Sequence, residues 1–140
     1  MKNAKWMLAV SLIVLSGMAV AQSIRGHVTA QVPFDFLVGN KTIPAGECVV
    51  QSSSPDGRVL LVRNLEAKAS LLAMSSQTES NKESADTVLI FERYGDRYFL
   101  SAIRVEGSNR TYHLPQSKAE AELRAQNVPA TEQTLLASLK

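Results

Sequence analysis

From Val28 to Val38 apolar and polar residues alternate. Val28, Ala30, Val32, Phe34, Phe36 and Val38 are apolar, with Thr29, Gln31, Pro33 and Asp35 between them and Leu37 as the exception. A period of two predicts a long strand with one buried face. Pro33 has no amide hydrogen for a ladder, so it predicts an edge position, a bulge or a break into two shorter strands. Gly39-Asn40-Lys41 and Pro44-Ala45-Gly46 read as turns, leaving Thr42-Ile43 room for no more than a bridge. Strands are then expected over Glu47–Ser52, Arg58–Arg63 and Ala69–Ser75, separated by the Ser53–Gly57 turn and an Asn64–Lys68 hairpin connection. Gln77–Asp86 is polar and charged and is expected as an exposed, mobile loop.

The strongest local signal is TVLIFERYGDRYFLSAIRV, Thr87 to Val105. Two runs of β-branched and aromatic residues flank Gly95-Asp96, the usual length of a tight hairpin loop. Glycine first in the loop predicts a type II′ turn, which needs positive φ there. That register pairs Tyr94 with Arg97 and Phe91 with Leu100. It places Leu89, Phe91, Leu100 and Ala102 on one face, expected in the core, with Tyr98 and Arg93 near the turn. The other face carries Val88, Ile90, Phe99 and Ile103 and is too apolar to stay bare. Arg110–Leu114 follows as a short last strand.

Pro115 then ends the extended pattern, and Ser117-x-x-Glu120 is a capping box. It predicts a helix over Lys118–Gln126, docked by Ala119, Leu123 and Gln126 with help from Leu114, over the hairpin's second face or one end of the sheet. Asn127-Val128-Pro129 stops it, and Thr131–Lys140 reads as another turn or two of helix or as a frayed end. The fold class is therefore mainly β: six to seven antiparallel strands in a small sandwich or barrel with a C-terminal α-helix.

Composition changes the picture at the N-terminus. Lys2 and Lys5, an apolar run from Trp6 to Leu15, and Ala19-Val20-Ala21 make a secretory signal peptide over residues 1–21, cleaved before Gln22. The organisation is then a signal, one β-rich domain over 22–126, and a tail over 127–140. Of the 15 basic residues two lie in the signal, leaving 13 against 13 acidic ones. No basic stripe for nucleic acid follows from that balance. Contact with a membrane is expected only through the signal before cleavage, and the destination is periplasmic or extracellular.

No catalytic, cofactor-binding or metal site emerges from the motifs. The one cysteine, Cys48, cannot form an internal disulfide and reads as a buried strand residue. His27 and His113, the only histidines, have no ligand-like spacing to Cys48 or to a carboxylate. Asp35 and Glu47 lie beside turns, with nothing that places them in one cleft. No G-x-S-x-G elbow or S-x-x-K pattern occurs. Arg93, Tyr94, Arg97 and Tyr98 gather at the hairpin tip, where cross-strand packing with an Asp96–arginine pair is favoured over a contact patch. Asn40-Lys41-Thr42 and Asn109-Arg110-Thr111 match the N-x-[ST] triplet of glycosylation in eukaryotic hosts.

VPFDFLVGNKTIPAGE (Val32–Glu47), FERYGDRYFLSAI (Phe91–Ile103) and LPQSKAEAEL (Leu114–Leu123) together resemble a family of small, signal-peptide-bearing bacterial proteins of uncharacterised function. The resemblance spans nearly the whole chain after the signal and implies an exported bacterial β-rich domain. It supplies no activity, cofactor or catalytic residue. Cys48 departs from the pattern, which has an aromatic residue after the turn. The reading reached is a non-catalytic envelope binding or structural interaction module, its partner a protein or an apolar small molecule. The alternatives are a carrier holding an apolar ligand among Phe34, Phe36, Leu89, Phe91 and Leu100, and, further off, a small hydrolase.

Overall fold

A computed structural model describes residues 23–140. The signal peptide expected over residues 1–21 lies outside them. Among the described residues no helix is long and apolar enough to cross a membrane.

The alternating stretch from Val28 is two strands, β1 (Val28–Val32) and β2 (Phe36–Val38), broken at Pro33 as that residue predicts. The break sends the two halves into different sheets. β1 pairs with β4 (Gly46–Ser52), whereas β2 forms a hairpin with β3 (Lys41–Ile43). β5 (Val59–Asn64) and β6 (Ala69–Met74) continue the first sheet. β7 (Ser76–Glu79), β8 (Val88–Tyr94), β9 (Arg97–Arg104) and β10 (Arg110–His113) build the second. After helix α1 (Lys118–Ala125), β11 (Thr131–Leu136) and β12 (Ser138–Leu139) close the chain.

The sheets run β12-β1-β4-β5-β6 and β11-β8-β9-β10-β7, the second also carrying β2 against β9 by one parallel contact, Leu37 to Phe99. Their inner faces meet in one core that includes Val28, Phe36, Ile43, Val50, Leu60, Leu89, Phe91, Ile103 and Tyr112. Of the two architectures expected, the sandwich is the one formed. A closed barrel is not: at Ser75 and at Ala137 the chain leaves one sheet and enters the other, which interrupts the ladder at both corners.

The strand count corrects the sequence expectation of six to seven to twelve among the described residues. Pro33 divides one strand in two. Thr42-Ile43 gains Lys41 and pairs fully with β2. The start of the expected loop at 77–86 is β7, held by main-chain pairing to β10 and by the Arg110–Glu79 ion pair at 2.9 Å. The tail is neither helical nor frayed. β11 pairs with β8 over six residues, β12 pairs with β1, and His27 and Lys140 exchange two main-chain bonds of 2.8 Å. Free sheet edges on both layers overrode the weak helical preference of this segment.

The hairpin forms in the expected register, with Tyr94 opposite Arg97 and Phe91 opposite Leu100. Gly95 has φ 64° and Asp96 is not among the positive-φ residues, as a type II′ turn requires. A bulge between Ile90 and Phe91 then shifts the far end by one residue. Ile103 therefore turns into the main core, and Ala102 joins Val88 and Ile90 on the other face, the reverse of the expected assignment.

The helix begins where its cap predicts. The Glu120 amide donates to Ser117 Oγ at 3.1 Å. It ends in a Schellman motif, with Val128 N–H on Leu123 O, Asn127 N–H on Arg124 O, and Asn127 at φ 59°. The docking stripe differs from expectation. Gln126 is exposed, Ala119 and Leu123 are half-buried, and the buried helix residue is Glu120. Its carboxylate turns away from the capping box and accepts from the Tyr94 hydroxyl at 3.0 Å, and that oxygen in turn accepts from Arg124 Nε at 2.8 Å. The helix thus covers the Tyr94 end of the hairpin's second face.

Candidate functional site

The residues that could carry chemistry are kept apart. Cys48 lies on the core face of β4, between Ala30 and Asn64 on the flanking strands. Burial pushes its thiol up to about 12, so it is neither a thiolate nor accessible. His27 is exposed at the start of the first sheet. His113 belongs to the second sheet and shares a 2.8 Å hydrogen bond with Thr78 Oγ1. Asp35 accepts the Ala45 amide at 2.8 Å and so belongs to the turn, while Glu47 sits opposite Gln31. Among the described residues no three His, Cys, Asp or Glu side chains are grouped to hold a metal ion.

The hairpin tip is packed as cross-strand geometry dictates. Arg93 lies over the Tyr98 ring and donates to Gly95 O at 2.7 Å; Tyr98 stacks on Phe34 at 3.7 Å. Tyr94 and Phe99 meet edge to face on the opposite side, with Arg97 over Phe99. The Asp96–arginine pair expected there does not form, since both arginines are engaged by rings. Glu92 faces Glu132 directly across the β8–β11 ladder. Partial burial first, then the charges of Glu132 and Glu120, raise the Glu92 carboxyl above its ordinary range, against the pull of Arg124.

Of the five side chains that the carrier alternative would place around a ligand, four are buried in the core and Phe34 packs half-buried against it. Phe34 and Phe36 both meet Phe91 edge to face, at 5.0 and 5.2 Å, and Leu89 and Leu100 are buried in the same cluster. Two shallow clefts adjoin the Gly107 turn, of about 420 and 370 Å³. Mixed charges line them, Arg25 with Glu83 and Glu106 in the first, and neither contains a histidine or cysteine.

A different feature stands out on the first sheet, and it was not singled out from the sequence. Leu72 and Met74 project from the outer face of β6 and are 62% and 61% exposed. Half-buried Leu61 and Val59 lie opposite them on β5, so the patch is continuous. β6 is also the end of its sheet. Ser75 N–H donates to Arg58 O at 2.7 Å, which makes their pairing a hydrogen-bonded one. By the alternation of an antiparallel ladder, Ala73 and Leu71 then bond inward to β5, and the amides and carbonyls of Ser70, Leu72 and Met74 point to the open side. Lys41 Nζ donates to Ser70 O at 2.7 Å, as that parity requires. Leu72 and Met74 are left with outward main-chain groups beside two bare apolar side chains, the arrangement that recruits another strand.

Comparisons with protein-family models, with curated proteins and with solved structures find no match for this chain.

Proposed function

We propose that the protein is an exported, non-catalytic envelope module that acts through protein–protein contact, with the β6 edge as its interaction surface. The observation that carries the reading is the pair Leu72 and Met74, apolar and exposed on a strand whose outward main-chain groups are open. Export is supported by the signal-like residues 1–21, and the bacterial envelope by the resemblance of three segments to a signal-bearing family. A fold with its cysteine buried and its histidines in separate sheets offers little to a hydrolase. The aromatic packing of Phe34, Phe36 and Phe91 favours contact at the surface over an apolar ligand held inside.

Native mass spectrometry of the protein from its exported fraction, beside the double variant L72K/M74K, tests this. The expected spectrum holds no small molecule, and any macromolecular complex is lost in the variant. A copurified apolar compound released on denaturation would overturn the reading in favour of a carrier.

A further inference from the structure

We infer that the β6 edge pairs with the same edge of a second copy, antiparallel and two-fold about Ala73. The inference rests on β6 being the interaction surface. Three features of that edge select a copy of the chain.

The first is length. Lys41 occupies Ser70 O at one end. At the other the chain turns at Ser75, whose hydroxyl donates to Gly57 O at 2.6 Å, and enters the second sheet. The open run thus offers the Ser70 amide and the amides and carbonyls of Leu72 and Met74. A dyad at Ala73 sets Leu72 opposite the Met74 of the second copy, and the reverse. Both become hydrogen-bonded pairs, so the open amides and carbonyls of Leu72 and Met74 are matched on the two edges.

The second is charge. Ala69 to Ser76 contains no ionisable side chain. Identical strands therefore meet without like-charge repulsion, and nothing in the strand would select a charged partner. The two-fold arrangement also places the Lys41 end of one copy beside the Ser76 end of the other, so the two ammonium groups stay apart.

The third is the side-chain face. Leu72 and Met74 of each copy come together, backed by Leu61 and Val59, and the two five-stranded sheets join into one of ten. So short an edge buries well under the roughly 1,200 Å² of a standard interface, so the dimer is weak and reversible.

Sedimentation velocity of the purified protein from micromolar to millimolar concentration is the first test. A monomer–dimer equilibrium is expected. L72K should weaken it several-fold, because it removes the Leu72–Met74 cross-strand contact and sets the two lysines on the diagonal across the dyad, roughly 7–8 Å apart. Circular dichroism should show an unchanged fold, since Leu72 is exposed. Disulfide trapping gives an independent readout. Mixing L72C with M74C should trap a mixed dimer, as the two positions face each other at about 5.5 Å between Cα atoms. L72C alone should not link to itself, its copies lying roughly 7–8 Å apart on the diagonal. Buried Cys48 leaves the background clean.

A protein that stays monomeric and yields no mixed dimer overturns the inference, and self-linking of L72C overturns the dyad at Ala73. If the monomer still binds another protein through Leu72 and Met74, only the second copy is wrong. If edge variants alter no association at all, the interaction-surface reading falls as well.

Discussion

Asn64 is the buried side chain on which the turns at one end of the first sheet converge. Its Nδ2 donates to Pro44 O at 2.8 Å and Ala45 O at 3.0 Å, and its Oδ1 accepts the amides of Glu66 at 2.9 Å and Ala67 at 3.0 Å. One amide group thus satisfies two carbonyls of the Pro44-Ala45-Gly46 turn and two N–H groups of the Asn64–Lys68 turn. Each bond contributes about 1 kcal/mol net. Ala45, Glu66 and Ala67 are exposed, so water replaces part of what Asn64→Ala removes. The expected cost is about 3 kcal/mol, or roughly 10 °C in melting temperature for a domain of this size. Urea unfolding measures it: the midpoint should fall with the slope unchanged, because folded and unfolded states keep their surface areas. Leu65→Ala, in the same turn but exposed and outside this network, should stay within about 0.5 kcal/mol. If Asn64→Ala costs no more than Leu65→Ala, the turns are held by something other than this amide, and the account of that end of the fold is wrong.

Gly46→Ala at the same junction should cost about 1–3 kcal/mol, since Gly46 has φ 137° and a Cβ would stand 3.0 Å from Asn64 Nδ2; thermal unfolding reads it. Cys48 predicts an alkaline slope. Its thiol is raised from 9.0 to about 12, so its contribution is full below pH 9 and is lost as pH rises toward 12. The loss approaches about 1.4 kcal/mol per pH unit, and Cys48→Ala should remove that slope in urea titrations between pH 8 and 11 (about the limits of practical buffers). Native protein should leave a thiol reagent unreacted until it unfolds. Glu92 is also raised, so its charge opposes folding above its folded pKa and its protonated form favours folding below the unfolded one. Glu92→Gln should therefore raise the urea midpoint at neutral pH and leave it unchanged in acid, where both side chains are neutral. Tyr94→Phe removes the hydroxyl between Glu120 and Arg124 and should cost about 1.5–3 kcal/mol, with faster hydrogen exchange in α1 than in β8.

What could be read from the sequence was local and punctuated by special residues. Pro33, Gly95 and Ser117 each act on their neighbours through one backbone constraint, and each marks the element boundary it predicts. The bulge between Ile90 and Phe91 could not be seen that way. Ala102 and Ile103 are both apolar, so no pattern distinguishes which faces the core, and the shift becomes legible only once β8 is laid beside β9. The strands β7 and β11 were hidden for a related reason. SQTE and TEQTLL carry few apolar residues, and main-chain pairing to edges formed by distant segments holds them. Glu120 combined both effects: its place in S-x-x-E fixed the helix start, but the buried Tyr94 hydroxyl on another element took its carboxylate. The β6 edge was invisible too. SLLAM is apolar on both faces, so periodicity could not say which leucine points outward or that no further strand lies beside it.

The way the sheet edges are finished bears on what the protein does. One continuous segment supplies β11 to the second sheet and β12 to the first, and its outermost strand on the first sheet is only two residues long. At the opposite corner β7 ends the second sheet with Ser76, Thr78 and Glu79, polar side chains that discourage further pairing. β6 ends the first sheet differently. It holds two large apolar side chains in the open, and Lys41, set against its outer edge, caps Ser70 and stops short of Leu72. Polar side chains, charges and very short strands are the devices by which β-proteins avoid unwanted partners; β7 and β12 show them, whereas β11 at the other end of the second sheet leaves the single residue Leu136 71% exposed. The absence of such devices over Leu72–Met74 costs stability against aggregation and contributes nothing to the core, because neither side chain reaches it. An exposed apolar pair that does not serve folding is the feature behind the proposed interaction surface, whereas the clefts are lined by mixed charge.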